Sequence, residues 1–447
     1  MKIIQSEDFN SYWKSAAKQA DDTETEKTVK KIIADVRAKG DAAVRKYAAK
    51  FDKSSPQLLE VPSAEAQRAL EQLRANEPVL TDALELAARH IRRFAEKQKE
   101  QFAHFEYEME AGLVTGQRVI PVERAGVYIP GGRFPLFSSV LMCMIPAFCA
   151  GVQEVALSSP PTEDGLPDRK ILAAAAIAVD IAGEVTHNIS LRLFSMGGAQ
   201  AVAALALGTE SVPRVDVIAG PGNRYVAAAK RLLFGEVGID FIAGPTDVLI
   251  IADSPSPHAA DLAAADMIAQ AEHDPDARAR ALVPDRELAN EIAAAIERRL
   301  AKLPSEKTAR ASLNAGGLII IYRNMEEAIR IANIIAPEHL ELQTADADAW
   351  IPHLKNYGSL FIGSLSAEAI GDYSAGINHT LPTSASARFT GGLSVRHFLK
   401  TVTTLRCASG KGFEKARNAA EILARAEGLE GHAQSAATRG TGKVADK

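Results

Sequence analysis

The 447-residue sequence predicts an α/β protein, with parallel sheets between helical N- and C-terminal segments. Three observations carry this. A strand, a glycine turn and a helix follow one another three times between residues 124 and 234. A second block of similar texture begins near Gly244, and residues 1–108 and those after 413 have helical apolar spacing.

Taken in order, Thr23 and Glu26 form a capping box that opens a helix to Lys39; Gly40 supplies a stop signal, and helical spacing resumes over 41–51. A longer amphipathic helix is expected over 77–101, with Arg, Lys and Glu on one face. Both read as a helical layer on a core, without chemistry of their own.

The first repeat runs from Arg124 through an apolar strand into Gly131-Gly132, then a helix to about Ala150 and a strand at 154–158. The second runs over 190–196 into Gly197-Gly198-Ala199-Gln200 and a helix ending at Gly208. The third runs over 214–219 into Gly220-Pro221-Gly222-Asn223 and a helix over 225–234. Such units gather their loops at the C-terminal ends of parallel strands, where α/β proteins bind ligands. Glycine there lets a phosphate approach the amides of a helix N-terminus. No loop is a complete G-x-G-x-x-G: Gly220-Pro221-Gly222 has the first two glycines without the third. The block therefore reads as a divergent nucleotide-binding, Rossmann-like domain.

Gly244-Pro245-Thr246-Asp247 opens the second block, with a strand over 248–252, a helix over about 257–273, and strands near 318–321 and 359–362. A helix is expected over 413–427, and the polar, small-residue end at 433–447 is expected to fray.

Within this block the stretch Asn333-Ile-Ile-Ala-Pro-Glu-His-Leu-Glu-Leu sets a carboxylate beside an imidazole, and Glu338 and His339 are the candidate catalytic pair. Pro337 disfavours helix before it and cannot donate a backbone hydrogen bond, which puts the pair just after a helix, on a loop or strand start. Adjacent side chains in extended backbone point to opposite sides, so the two can address different atoms of one substrate. Gln270 and His273 stand at i and i+3 on a helix end, and Asp372 with Asn378-His379 lies in a glycine-bearing loop; together they offer N and O atoms of the kind zinc accepts.

A formal charge of -5 and a pI near 6.1 provide no basic field for nucleic acid or an anionic membrane, so the expected partner is a small-molecule substrate. Cys143, Cys149 and Cys407 are too few for a disulfide framework. The N-terminus lacks an apolar signal core and no apolar stretch has spanning length, so a cytoplasmic location is expected, with no membrane partner.

The chain resembles the histidinol dehydrogenase family over nearly its whole length. The motifs that carry the likeness, in the family's order, are Ala-Gly-Val-Tyr-Ile-Pro-Gly-Gly at 125–132, Gly-Gly-Ala-Gln at 197–200, Gly-Pro-Gly-Asn at 220–223 and Ala-Gly-Pro-Thr-Asp at 243–247. Gln-Ala-Glu-His at 270–273, Pro-Glu-His-Leu at 337–340 and Gly-Asp-Tyr-Ser-Ala-Gly-Ile-Asn-His at 371–379 complete the set. The resemblance implies two incomplete Rossmann-like domains: residues 26–123 with 246–385 as the first, bearing the catalytic and zinc residues, and 124–245 as the second, binding NAD. Residues 1–25 would form an N-terminal helical segment, and 386–447 a C-terminal helical tail reaching into the partner's active site in a homodimer. It further implies zinc (Zn2+) at Gln270, His273, Asp372 and His432, and NAD contacts at Tyr128, Gln200 and Asn223. Substrate contacts would come from Thr246, Gln270, His273, His339, Asp372, Glu427 and His432.

The implied activity is oxidation of L-histidinol through L-histidinaldehyde to L-histidine, with His339, near its ordinary pKa of about 6.5, as the base in both steps and Glu338 activating water in the second. Two departures stand out. Thr246 occupies a position where serine is common, and residues 387–396 also resemble related enzymes that oxidise sulfonated diols. An anionic alcohol held by Arg388 or Arg396 is thus an alternative substrate, and a non-catalytic nucleotide-binding homologue is a second alternative.

Overall fold

The computed structural model describes residues 1–16, 23–56, 58–131, 135–184, 189–242, 244–253 and 258–440. Gly132, Arg133, Phe134, Ala243 and the expected helix start near 257 lie outside these residues, as does the end of the chain from 441. Two compact units divide the chain: Met1–Glu96 with Glu123–Phe398, and Lys97–Val122 with Leu399–Lys447.

The first unit holds two six-stranded sheets. In one, the strands Lys2–Gln5, Leu318–Ile321, Arg278–Val283, Asp247–Ala252, His339–Gln343 and Ser359–Ile362 lie side by side in that order, all parallel. Val248 and Ile250 face one apolar layer, which includes Met267 and Ile268 of the helix Ala259–Ala271. Leu249 and Ile251 face another, with Ile331, Ala332 and Ile335 of the helix Met325–Ile335. Burial on both faces explains the unbroken apolar runs of these strands.

In the other sheet the order is Glu60–Val61, Ser190–Ser195, Glu154–Ser159, Arg124–Tyr128, Val217–Ala219, Gly238–Ile239. Its pairings are parallel except that of Glu60–Val61, which runs antiparallel at the edge. The helix Thr23–Phe51 packs Val29, Ile32, Val36 and Val44 onto this sheet's layer, together with the helices Gly198–Leu207 and Arg224–Leu233. Gly40 sits inside the Thr23–Phe51 helix at φ +50°, a conformation L side chains resist, and a Cβ there would run into the Glu210 carboxylate. The stop signal thus appears as a kink.

The second unit is an antiparallel sheet of Phe105–Glu110, Leu113–Pro121 and Leu399–Cys407, with the helices Lys411–Ala426 and Glu430–Thr438.

The grouping of segments differs from the sequence expectation in three places. Residues 1–25 contribute Lys2–Gln5 as an edge strand of the first sheet besides the helix Phe9–Ala16. Residues 26–61, expected with the first α/β domain, pack on the second sheet, because the apolar stripe of Thr23–Phe51 is covered by Gly198–Leu207. Residues 105–121 form a hairpin that pairs with Leu399–Cys407, so the tail contains a strand ahead of its helices. The hairpin escapes a helical reading because period-2 alternation over a few residues is short against the long helix before it.

Candidate active site

The helix Met325–Ile335 stops at Ala336, which takes a left-handed conformation (φ 50°, ψ 62°) ahead of Pro337. His339 is then the first residue of the strand His339–Gln343, paired with Val248 on one side and Ser359 on the other. Glu338 and His339 therefore sit, buried, at the N-terminal end of a central strand.

Glu338 Oε2 accepts from Thr246 Oγ1 at 2.5 Å and from the Asp247 amide at 3.1 Å. Asp247 Oδ1 in turn accepts from the Glu338 amide at 3.2 Å, and Asp247 Oδ2 from the buried Arg280 guanidinium at 3.0 Å. Burial pushes the Glu338 carboxyl up to about 7, against the pull of the His339 charge and of the Thr246 hydroxyl.

His339 Nδ1 lies 3.3 Å from Gln270 Nε2, 3.7 Å from Glu368 Oε1 and 3.9 Å from Glu338 Oε2, while its Nε2 is 3.4 Å from Asp372 Oδ1. Burial works against the imidazolium, but the carboxylates of Glu368, Glu338 and Asp372 outweigh it and hold the ring well above the ordinary histidine range. This departs from the expectation of an ordinary pKa, for a reason invisible in sequence: carboxylates distant along the chain converge on the ring. The two side chains also approach each other to 3.9 Å rather than pointing apart, because Glu338 precedes the strand's regular pleat.

Thr246 Oγ1 lies 3.3 Å from Gln270 Oε1, which joins the helix Ala259–Ala271 to this network. His273 follows that helix's C-cap residue Glu272. His273 is exposed as a residue, yet desolvation by the protein around its ring favours the neutral form. Atoms of His273, Glu368 and Asp372 lie within 4.8 Å of one another, close enough for a small side-chain adjustment to bring them onto one cation. His339 Nε2 and Glu368 Oε2 are buried without a hydrogen-bond partner of good geometry. Glu338, Glu341, Glu368 and Asp372 gather here, and burial raises the first three, Glu338 to about 7 and Glu368 to about 8; a divalent metal among these donors would favour their ionised forms.

Of the sequence-predicted residues, Thr246, Gln270, His273, Glu338, His339 and Asp372 thus form one cluster. Tyr128 ends a strand of the second sheet, and its Oη accepts at 3.0 Å from the Gly198 amide, at the start of the helix that carries Gln200. Asn223 caps the helix Arg224–Leu233, accepting from Tyr225 and Val226 at 3.0 and 3.2 Å. At two of the three glycine loops, amides expected to face a phosphate are thus engaged by the protein: that of Gly198 at one and those of Tyr225 and Val226 at the other. Glu427 ends the helix Lys411–Ala426 and His432 lies on Glu430–Thr438, both exposed and both in the second unit.

Three residues of the cluster escaped sequence reasoning. Glu368 stands four before Asp372 on the short helix Glu368–Tyr373, a spacing that shares a helix face and could have flagged it. Asp247 adjoins Thr246 in a quoted motif. Glu341, two residues beyond His339 on the strand, accepts from Gln343 Nε2 at 2.6 Å and from the Glu368 amide at 3.2 Å.

A family model described as histidinol dehydrogenase matches residues 15–440. The histidinol dehydrogenase of Pseudomonas syringae pv. tomato is 45% identical over 431 residues, covering 96% of this chain and 91% of the relative. That of Thermus thermophilus is 46% identical over 415 residues, covering 93% of this chain and 94% of the relative. The crystal structure of histidinol dehydrogenase from Elizabethkingia anophelis superposes with a TM-score of 0.85 at 33% identity, covering 95% of this chain and 93% of that one.

Proposed function

The chain belongs to the histidinol dehydrogenase family, and from that premise we propose that the cluster around His339 oxidises L-histidinol through L-histidinaldehyde to L-histidine. The enzyme is an NAD-dependent oxidoreductase acting on a small molecule. The observation that carries the site reading is the convergence of Thr246, Glu338, His339, Gln270 and Asp372 in one hydrogen-bonded, buried network.

When bound, NAD would supply the hydride acceptor for each of two oxidations, and zinc, which Gln270, His273, Asp372 and the tail's His432 would hold, would supply a fixed positive charge that positions the substrate. In its neutral form, which the surrounding carboxylates displace to higher pH, His339 accepts the alcohol proton in the first oxidation. Glu338 then draws a proton from water as its oxygen adds to the aldehyde carbon, and His339 accepts a proton from the resulting diol. A carboxyl raised to about 7 is well matched to this second task near neutral pH. Thr246 orients Glu338 and Gln270, and Gln270 orients His339.

Tyr128, Gln200 and Asn223 are assigned to NAD; the orphaned, buried Nε2 of Gln200 is a polar group that a ligand would satisfy. Glu427 and His432 are assigned to the active site of a partner subunit in a homodimer. Supporting this, the second unit exposes large apolar side chains on its sheet and helices, among them Tyr107 at 62%, Leu405 at 67% and Ile422 at 67%. The two Rossmann-like domains are centred on the two six-stranded sheets. A cytoplasmic location accords with Cys143, Cys149 and Cys407 standing outside any disulfide. Among the described residues no helix is long and apolar enough to cross a membrane.

The alternative of an anionic diol finds less support. Arg388 donates to the Ile334 carbonyl and Arg396 to Thr390 Oγ1 at 3.3 Å. Mixing the protein with NAD and either L-histidinol or a sulfonated propanediol tests the reading. Formation of two NADH per L-histidinol is expected, and NADH formed only with the sulfonated diol would overturn the substrate assignment.

A further inference from the structure

At the C-terminal edge of the second sheet, the helix Gly198–Leu207 begins where the helix Thr23–Phe51 ends. A helix start of this kind ordinarily offers free amides to an anion. Here the Gly197 amide donates to the Asp52 carboxylate and the Gly198 amide to Tyr128 Oη. Gly197 permits the approach, since a Cβ there would lie 2.8 Å from Asp52 Oδ1 and 2.7 Å from the Pro160 ring.

What remains open is the reverse of a phosphate cradle. Nε2 of Gln200, a side chain only 1% exposed, faces the Asp52 carboxylate and is drawn to it, yet neither this Nε2 nor Asp52 Oδ2 has a well-aligned hydrogen bond. Leaving a buried acceptor and a buried donor poorly paired is costly. One chemical group satisfies both, a hydroxyl, which donates to the carboxylate and accepts from the amide. A phosphate could accept from the amide, but it has no proton to donate to the carboxylate and carries the same charge as Asp52. Burial raises the Asp52 carboxyl to about 6, which leaves it ionised at pH about 8.

Strand order indicates which part of a dinucleotide lies here. The strand Ser190–Ser195, which leads into Gly197, is separated from Arg124–Tyr128 by Glu154–Ser159, a displacement of roughly 10 Å. It is the helix Phe137–Ala150, following Arg124–Tyr128, that reaches the catalytic cluster: Ser139 Oγ lies 2.9 Å from His379 Nε2, and His379 Nδ1 lies 2.7 Å from the Asp372 carbonyl. The hydride-accepting half of NAD must lie on that nearer side, which leaves the adenosine half for Asp52.

We propose that Asp52 and Gln200 form the specificity-determining pair for the adenosine ribose, binding its 2′-hydroxyl, and that the Asp52 carboxylate excludes the 2′-phosphate of NADP. The inference rests on the reading that NAD binds at Tyr128, Gln200 and Asn223.

The test is equilibrium titration of the full-length protein with NAD, NADP and 2′-deoxyadenosine NAD, without alcohol substrate. Wild-type protein should bind the deoxy compound about 10-fold more weakly than NAD, as expected for a lost hydrogen bond to a charged group. Asp52→Asn should narrow the NAD-to-NADP affinity ratio about 10-fold or more, because the repulsion goes while an oxygen remains for the Gly197 amide. Equal binding of NAD and its deoxy form by the wild type, which requires no folded variant, would overturn the inference. So would an unchanged ratio in Asp52→Asn. If Gln200→Leu weakens NAD while that ratio holds, this inference alone fails; if Gln200→Leu leaves NAD binding untouched, the NAD-site reading fails with it.

Discussion

Replacing Glu338 by glutamine separates the two roles assigned to the catalytic pair. Glutamine keeps an oxygen that can accept from Thr246 and from the Asp247 amide, so the network should hold its shape while the base is lost. Losing a general base costs ~10²–10⁴-fold, and the loss should fall on aldehyde-to-acid oxidation, where Glu338 activates water. The alcohol step should respond differently. Glu338 Oε2 lies 3.9 Å from His339 Nδ1. At an effective dielectric of about 20 that charge stabilises the imidazolium by about 4 kcal/mol, so its removal lets His339 lose its proton at lower pH. Alcohol-to-aldehyde turnover in Glu338→Gln should therefore keep its plateau rate and shift its rise toward lower pH. Stopped-flow NADH traces, with histidinol and separately with histidinaldehyde across pH, read both quantities. If both plateaus drop by the same factor, the separate roles are wrong and Glu338 serves to orient His339.

The metal assignment predicts about one zinc per chain, with content falling in both His273→Ala and His432→Ala and as acid protonates the histidines; elemental analysis after dialysis checks it, and unchanged content in both variants refutes it. If His432 serves the partner subunit, unfolding and refolding inactive Glu338→Gln, His339→Asn protein together with inactive His432→Ala protein should recover part of the activity in mixed dimers. Recovery should be absent when either is refolded alone. Glu327 accepts from Ser6 Oγ at 2.6 Å and from the Arg323 amide at 3.0 Å. The neighbouring Arg323 guanidinium and these bonds hold its carboxyl down to about 2, from 4.5. A depressed carboxyl contributes stability that is fully present above about 4.5 and is lost as pH falls toward 2. Because Arg323 is mostly exposed, a shift worth up to about 3 kcal/mol should be discounted to about 1–2 kcal/mol, and Glu327→Gln should lose that much at pH 7 but little near pH 2 in urea melts. Lys230 and Asp240 form a buried ion pair that also binds both backbone groups of Gly220. Lys230→Met should cost about 3–5 kcal/mol by stranding the carboxylate, and a calorimetric loss under 1 kcal/mol would contradict this.

Local chemistry along the chain was enough to foresee several elements. The apolar runs at 248–252 and 318–321 are strands because they are buried on both faces, and the helix Met325–Ile335 ends at Ala336, ahead of Pro337. Glu338, His339, Gln270, His273 and Asp372 were legible as types able to hold protons or metal, and the order of seven motifs pointed to the family. The assignment of 23–61 to a sheet was not legible, since an amphipathic stripe states that something covers it without stating what.

Distances and charge states belong to the tertiary structure for the same reason. His339 owes its raised pKa to Glu368 and Asp372, some thirty positions away in sequence, and Glu338 owes its value near 7 to burial between strands that meet only when the sheet forms. The glycine loops show the limit most clearly. Their residues read as a place for phosphate, yet folding brings Asp52 against the Gly197 amide, Tyr128 against Gly198, and Asn223 onto its own helix start. Sequence determined which groups could bind an anion, whereas packing decided that those amides were already satisfied, because hydrogen bonds are made to whichever acceptor the fold delivers.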